Sequence, residues 1–459
     1  MRDDRDEPQE GKTLKRGRLT RAIQLSRLAV GYGRRLVSEK ARSVASETAA
    51  QLGLSTTGSV DLAEEMLATL SEMKGLAMKL GQMLSYLEDL LPPEAQRVLV
   101  KLQREAEPAP YEEVRAVFIE ELGEPPEQRF ATFDPTPIAA ASIGQVHRAR
   151  LADGQWVAVK IQYPGIAEAM AADLKNAKMF GLFQRVFFYR TNTRAIMAEL
   201  EERLLDECDY RKEAEYQDFF HRRFSGHPVI VVPEVHHEHS SRRVLTTTLY
   251  EGLNFYDWLA LDPGEEERRS VMATFYRFYL GTLYLDGLFN CDPHPGNYLF
   301  LDDGTIAFLD YGCTRRYPES RRRVWIEMCR AVEDDDEERI QALAREVGFI
   351  PPEVVEYDHA AFRRLVRYIY APYLVDGPYD FRDHPPQQTF REMFSENANL
   401  FKMDMPADAV FLNRITFGLV SLMTDLGAAI NVRQLADAYF EGRDPHWPDD
   451  PWQANAACD

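Results

Sequence analysis

Asp292-Pro293-His294-Pro295-Gly296-Asn297, followed by Asp310-Tyr311-Gly312, constrains this chain more than any other stretch. Asp292 and Asn297 stand five positions apart, and Asp310 comes thirteen after Asn297. Between them, Tyr298 to Leu301 and Thr305 to Leu309 are short apolar runs on either side of Asp302-Asp303-Gly304. A Gly-containing turn between two such runs is a hairpin signal. The hairpin predicted here returns Asp310 to the side of Asn297 at its open end. Two carboxylates and an amide then converge, a grouping that suits a metal–phosphate site. Taken alone, the stretch is also compatible with a Pro-Gly turn capped by polar side chains.

The order and interval match the protein-kinase signature H-R-D-L-x-x-x-N followed by D-F-G. In that chemistry the first Asp faces the nucleophile, and the Asn and second Asp hold the metal ions that bridge the phosphates. Asp292 is therefore the candidate catalytic group, with Asn297 and Asp310 the candidate metal ligands.

At 459 residues the chain has room for two to three domains, and its 45% hydrophobic and 28% charged composition is that of a globular protein. Charged residues break the two longest apolar candidates: Arg277 and Asp286 within Val271 to Phe289, Arg414 and Asp425 within Val410 to Ile430. A spanning helix needs about 20 mostly apolar residues, so neither run is predicted to cross a bilayer. The acidic N-terminus lacks the apolar core of a signal peptide. Five cysteines form no C-x-x-C pair, which argues against a disulfide framework and for a reducing compartment. Cys291 and Cys313 flank the metal-site stretch, either as reactive thiols or as small buried filler.

The net charge of −20 is uneven, since Lys12 to Arg42 carries ten Lys/Arg against the single acid Glu39. So acidic a body excludes nucleic acid as a partner. The basic arm, punctuated by Leu19, Ile23, Leu28 and Leu36, reads either as a segment lying on an anionic membrane surface or as a solvated tail.

The chain divides at composition changes. Residues 1–60 form the basic arm. Residues 61–128 are helical: Met66, Leu70, Met73, Ala77, Leu80, Leu84, Leu87 and Leu91 make one apolar stripe. Pro92-Pro93 ends it, and two further helices are expected, from about Pro93 to Glu105 and from about Tyr111 to Leu122. Strands begin near Phe130 in the segment 129–250. Gln145 to Leu151 and Trp156 to Ile161 flank Asp153-Gly154, a strong hairpin signal. An acidic helical segment from about Thr193 to Phe220 follows, then strands at His227 to Val235 and Arg243 to Tyr250. Residues 251–459 read as helical, with only the hairpin after Asn297 interrupting. This mixed lobe followed by a helical one is an α+β bilobal organisation.

Val157-Ala158-Val159-Lys160 is close to V-A-I-K, whose Lys holds the phosphates and pairs with a Glu on the next helix. A lysine ending a buried strand is costly without an anionic partner, and Glu213 is the candidate. A purely structural ion pair gives the same pattern. The phosphate loop departs from glycine-rich ones: Pro137-Ile138-Ala139-Ala140-Ala141-Ser142-Ile143-Gly144-Gln145 carries alanines where glycines would bare the backbone. Ala139, Ala140 and Ala141 remain candidate amide donors, with a hydroxyl from Ser142. Backbone groups near Thr248 and Tyr250 are placed to meet an adenine.

These motifs together resemble the UbiB/ADCK (AarF-type) atypical kinases from about Asp61 to Asn431. They comprise Lys79-Leu80-Gly81-Gln82, the alanine-rich loop, Lys160, Glu207-Cys208-Asp209, Glu213, Asp292 to Asn297 and Asp310-Tyr311-Gly312. The resemblance implies a protein-kinase-like fold with an N-terminal helical extension packed over the active site. It makes Lys79 and Gln82 parts of a lid, with Lys79 held by Glu207 and Asp209 completing the acidic motif. It also implies ATP and magnesium as cofactors, ATPase activity, and support of ubiquinone or other isoprenoid-lipid metabolism at membranes, with little protein kinase activity. Partners would be an isoprenoid lipid or lipid-biosynthesis enzymes. The expected location is cytoplasmic, peripheral on the inner face of a membrane. The chain departs from the pattern at Asn290-Cys291, where His-Ala is common, and at Thr247-Thr248, where Met-Glu is usual. Two functions fit: an ATPase or phosphotransferase using Asp292, or an ATP-gated lipid- or protein-binding scaffold with negligible catalysis. The third reading, a small-molecule kinase of the aminoglycoside type, gives no reason for Lys79-Leu80-Gly81-Gln82.

Overall fold

The computed structural model describes residues 108–174, 201–202, 204–383, 399 and 418–444. The basic arm, the Met66–Leu91 stripe with Lys79 and Gln82, and the helix expected to begin at Pro93 lie outside these residues.

Helix α1, Tyr111–Leu122, matches its expected span. It buries Val114, Val117 and Phe118, at the three- and four-residue spacing that gathers one face. That face lies on a four-stranded antiparallel sheet ordered β1-β2-β3-β5, with β1 Thr132–Ala140, β2 Gly144–Arg150, β3 Trp156–Gln162 and β5 Val244–Thr248. Strand alternation sorts the sheet. Val157, Val159 and Ile161 turn to α1 and are fully buried, whereas Ala158 and Lys160 take the opposite face. Each buried aliphatic side chain there contributes about 1.5–3 kcal/mol. The turn joining β2 to β3 closes as expected: Gln155 N donates to the Asp153 carboxylate at 2.9 Å, and Gly154 takes φ +96°.

Helix α2, Ile166–Leu174, follows β3, and α3 is Tyr210–Arg223. The expected continuous helix from Thr193 to Phe220 is interrupted. Asp209 is extended (φ −123°, ψ 93°), and its carboxylate accepts from the Arg211 amide. An aspartate in that position satisfies an otherwise orphaned amide at a helix start, so α3 begins anew after it. The strand expected at His227 to Val235 shrinks to β4, Ile230–Val231, with a lone bridge from Val235 to Thr247. The His227 imidazole captures the amides of Val229 and Ile230, and Pro233 has no amide to give a ladder.

β4 runs parallel to β9, Ile306–Phe308, in a second sheet ordered β4-β9-β8-β6. Its other strands are β6, Leu253–Asn254, and β8, Tyr298–Phe300. The β8–β9 hairpin turns at Asp302-Asp303-Gly304 as expected. The helical half contains a further ladder that its sequence pattern hides: β7, Leu288–Asn290, pairs antiparallel with β10, Thr314–Arg316. Strands of three residues carry too little alternation to be read locally.

Helix α4, Glu265–Tyr276, opens with three glutamates against its positive end and continues into wider π-type turns over Arg277–Asp286. Phe278 on those turns stacks on Phe308 at 3.9 Å and on Phe220 of α3 at 5.1 Å. One aromatic core therefore joins α3 to the β8–β9 hairpin. Helices α5 (Glu319–Glu333), α6 (Glu337–Val347) and α7 (His359–Ile369) pack round Met328, Leu343 and Phe362, and α8 (Val432–Phe440) covers the π-type turns. Among the described residues no helix is long and apolar enough to cross a membrane.

Candidate functional site

β3 delivers Lys160 and α3 delivers Glu213 to the same point. The ammonium lies 2.8 Å and 3.0 Å from the two Glu213 carboxylate oxygens, 4.0 Å from Asp310 Oδ2, and 4.9 Å from the centre of the Tyr210 ring. The Lys160 and Glu213 side chains are 18% and 6% exposed, so the pair is shielded from water and salt. Burial works against the charged form of Lys160, but Glu213, then Asp310 and Tyr210, outweigh it and hold the group above the ordinary lysine value.

Asp310 is fixed from two sides. Its Oδ1 accepts from the Gly312 amide at 2.9 Å, and its own carbonyl accepts from the Asn290 side chain at 2.7 Å. Between them Tyr311 is fully buried, its hydroxyl donating to the Phe308 carbonyl and its ring 5.0 Å from Phe220 of α3. The helix bearing Glu213 and the loop bearing Asp310 thus share one aromatic contact, worth about 0.5–1.5 kcal/mol beyond area burial.

Asn290 is the residue whose role the sequence did not reveal. It is buried, and besides holding the Asp310 carbonyl it accepts from the Asp292 amide at 3.0 Å. One amide side chain, with a donor and an acceptor, therefore ties together the two loops that carry the carboxylates. The only sequence signal was the departure at Asn290-Cys291, and an amide there supplies the anchor between the loops.

Asp292 to Asn297 forms a tight loop ending in a single 3₁₀ turn, Pro295–Asn297, whose preceding His294 accepts the Gly296 amide. Asn297 Nδ2 donates to the Asp292 carbonyl at 3.0 Å and lies 3.4 Å from Asp292 Oδ2. This turns its amide oxygen away from Asp292. The Leu309 amide donates to the Asn297 carbonyl at 3.0 Å, so the hairpin does bring Asn297 and the Asp310 loop together.

The phosphate-loop residues divide. Ala139 and Ala140 sit exposed on β1 opposite Val146 and Gln145, and Ser142 is half-buried at the tip. Ala141 does not serve as expected, because its amide donates to the Gly144 carbonyl at 2.8 Å and closes the turn. Gly144 has a structural reason: a Cβ there would lie 2.3 Å from the Ile161 carbonyl oxygen. Only glycine lets β2 approach β3 so closely at this point.

At the far end of the sheet, the Thr248 side chain is engaged away from the cleft by Gln155 and His236, and its amide donates to the Glu234 carbonyl. On β5 the residues sharing the Lys160 face are Leu245, opposite Lys160, and Thr247, opposite Ala158, and Val146 of β2 stands opposite Lys160 on the other side. Tyr250 follows on the half-buried segment leading to β6. The alternation of β5 about its Lys160-facing residues was the available signal for Thr247.

Asp209 caps α3 and so sets the start of the helix that carries Glu213. Glu207 lines a small, partly open cavity together with Lys212, Glu213, Gly312 and Cys313.

Two oxygen-donating side chains, Asn297 and Asp310, the latter 4.0 Å from the Lys160 ammonium, fit magnesium: the ion takes one or two carboxylates and completes its shell from phosphates and water.

A strand-borne lysine, its helix-borne glutamate and two acidic loops joined through one buried amide define a protein-kinase-like fold. Residues 101–344, just over half of the chain, match the ABC1 atypical kinase-like domain. The chain belongs to that family. It is 31% identical over 372 residues to the rat protein named atypical kinase COQ8B, mitochondrial, covering 79% of this chain and 69% of that one. Its identity to the Saccharomyces cerevisiae atypical kinase COQ8, mitochondrial, is 27% over 92% of this chain and 85% of the yeast protein. The chain spans about half the length of the zebrafish and nematode relatives, 54% and 52%. The solved structure of the Mycobacterium tuberculosis protein Rv3197 in complex with erythromycin is similar, with a TM-score of 0.58 at 28% identity, covering 79% of this chain and 92% of that one.

Proposed function

We propose that the chain binds ATP with magnesium and hydrolyses or transfers its terminal phosphoryl group slowly, with little activity toward protein substrates. The observation that carries this reading is the Lys160–Glu213 ion pair at 2.8 Å with Asp310 4.0 Å from the same ammonium. Lys160 neutralises phosphate oxygens, while Glu213 fixes where that charge sits. Asn297 and Asp310 would hold the metal, which would screen the phosphate charge against an incoming nucleophile. Asp292 orients an attacking water or hydroxyl and accepts its proton at the carboxylate. Asn290 keeps Asp292 in register with Asp310. The spent Ala141 amide removes one donor from the phosphate cradle, which favours slow turnover and also keeps an ATP-gated scaffold as the alternative.

The physiological setting proposed is ubiquinone or other isoprenoid-lipid metabolism, with the chain cytoplasmic and peripheral on the inner face of a membrane. The names of its relatives as atypical kinases support the chemistry, and the basic segment Lys12 to Arg42 supports the surface. Lys79 and Gln82, with Glu207, are proposed as the lid.

Phosphate release measured with and without anionic liposomes and polyprenyl phenols tests the reading. Stimulation by the lipids, reduced when residues 1–50 are removed, is the expected result. Stoichiometric ATP binding without turnover under every condition would shift the assignment to the scaffold, and absence of ATP binding would overturn both.

A further inference from the structure

In the ladder of β7 and β10, Asn290 stands opposite Thr314, Phe289 opposite Arg315 and Leu288 opposite Arg316. The next opposed pair is Cys291 and Cys313, whose backbones are joined by a hydrogen bond from the Cys291 amide to the Cys313 carbonyl at 2.8 Å. Opposed residues of an antiparallel ladder project to the same face with Cα atoms about 4.5–5.5 Å apart. Disulfides span Cα separations of about 4.4–6.8 Å, a range that opposed ladder residues meet.

Access differs between the two. Cys291 is fully buried, whereas Cys313 is half-buried and lines the cavity beside Glu207 and Gly312. Both pack against the same aromatic core, and both are thiols in the structure. Each adjoins a site loop: Cys291 precedes Asp292, and Cys313 follows the Gly312 whose amide holds Asp310.

We propose that Cys313 and Cys291 are a reversible modification site for peroxides, Cys313 meeting the peroxide from the cavity and Cys291 resolving the product as a disulfide. The Cys313 thiolate attacks the peroxide O–O bond; an S–O bond forms and the departing hydroxide is protonated to water. The Cys291 thiolate then displaces hydroxide from the sulfenic acid, forming the S–S bond and a second water. Two thiols are oxidised, and one hydrogen peroxide is reduced to two waters.

The test uses the full chain treated with stepwise hydrogen peroxide, quenched with catalase, alkylated and mapped without reduction. The expected product is an intrachain cross-link between the Cys291 and Cys313 peptides that dithiothreitol removes. In Cys291→Ser, Cys313 should instead accumulate as a sulfenic acid captured by dimedone. Recovery of Cys291 and Cys313 as separately alkylated peptides while other cysteines oxidise would overturn the proposal. So would stable dimedone labelling of Cys313 in the unsubstituted chain without a cross-link. No nucleotide enters these measurements, so their failure is distinct from a failure of the ATP-binding reading.

Discussion

Lys160→Met is expected to lower both nucleotide affinity and stability, and the stability loss should grow as pH rises. Truncating one member of a buried charge pair costs about 3–5 kcal/mol when the other is left ionised. Glu213 has an escape, since burial already raises its carboxyl and Lys160 is the main group opposing that rise. Without Lys160 the folded-state value climbs further, so the folded chain binds a proton that the unfolded chain releases. Stability then falls as pH rises from the ordinary glutamate range through the raised folded-state value. Urea denaturation at pH 5 and pH 8 checks this: the variant should lose more stability at pH 8. Lys160→Met with Glu213→Gln should remove the added pH dependence, because no carboxyl remains to titrate. A single variant as stable as the parent at both values would show that the pair is not a coupled buried one. For the nucleotide, losing the cation at the phosphates is expected to weaken ATP by at least about tenfold, or about 1.4 kcal/mol.

Asp310→Asn separates the metal from the fold. The amide keeps the shape and can still accept from the Gly312 amide, so the loop should stay in place. It removes one negative charge from a cluster in which Glu213 and Asp310 share the single ammonium of Lys160. The melting temperature is therefore expected to hold or rise slightly. Magnesium-dependent ATP affinity should fall by at least about 10–100-fold, the range seen when even a supporting partner of a metal site is removed. Isothermal titration with ATP at fixed magnesium reads the effect. Equal affinity in parent and variant would remove Asp310 from the metal site.

What could be read from the sequence was local. The Asp153-Gly154 and Asp302-Asp303-Gly304 hairpins follow from turn chemistry between apolar runs, and with them come the positions of Lys160, Asn297 and Asp310. Helix α1 takes the span expected for it, Tyr111 to Leu122. The rest depended on contacts between distant residues. Asn290 links its own loop to Asp310, twenty positions on, through hydrogen bonds that leave no periodic trace. The β7–β10 ladder is three residues long on each side, too short for alternation to register. The break before α3 arises because the Asp209 carboxylate competes for a backbone amide, and an acid-rich helical pattern conceals such a cap. Ala141 was misplaced among the phosphate donors for a similar reason: its amide is used by Gly144, a partner determined by how the turn closes.

The central claim is that Lys160, Glu213, Asn297 and Asp310 serve one magnesium–nucleotide complex. Equilibrium binding of a fluorescent ATP analogue to the full chain, in magnesium and again after chelation with EDTA, tests it most directly. Saturable binding in magnesium that collapses on chelation and returns when magnesium is restored is the predicted result. Binding that ignores chelation, or no binding at any magnesium concentration, would contradict the account.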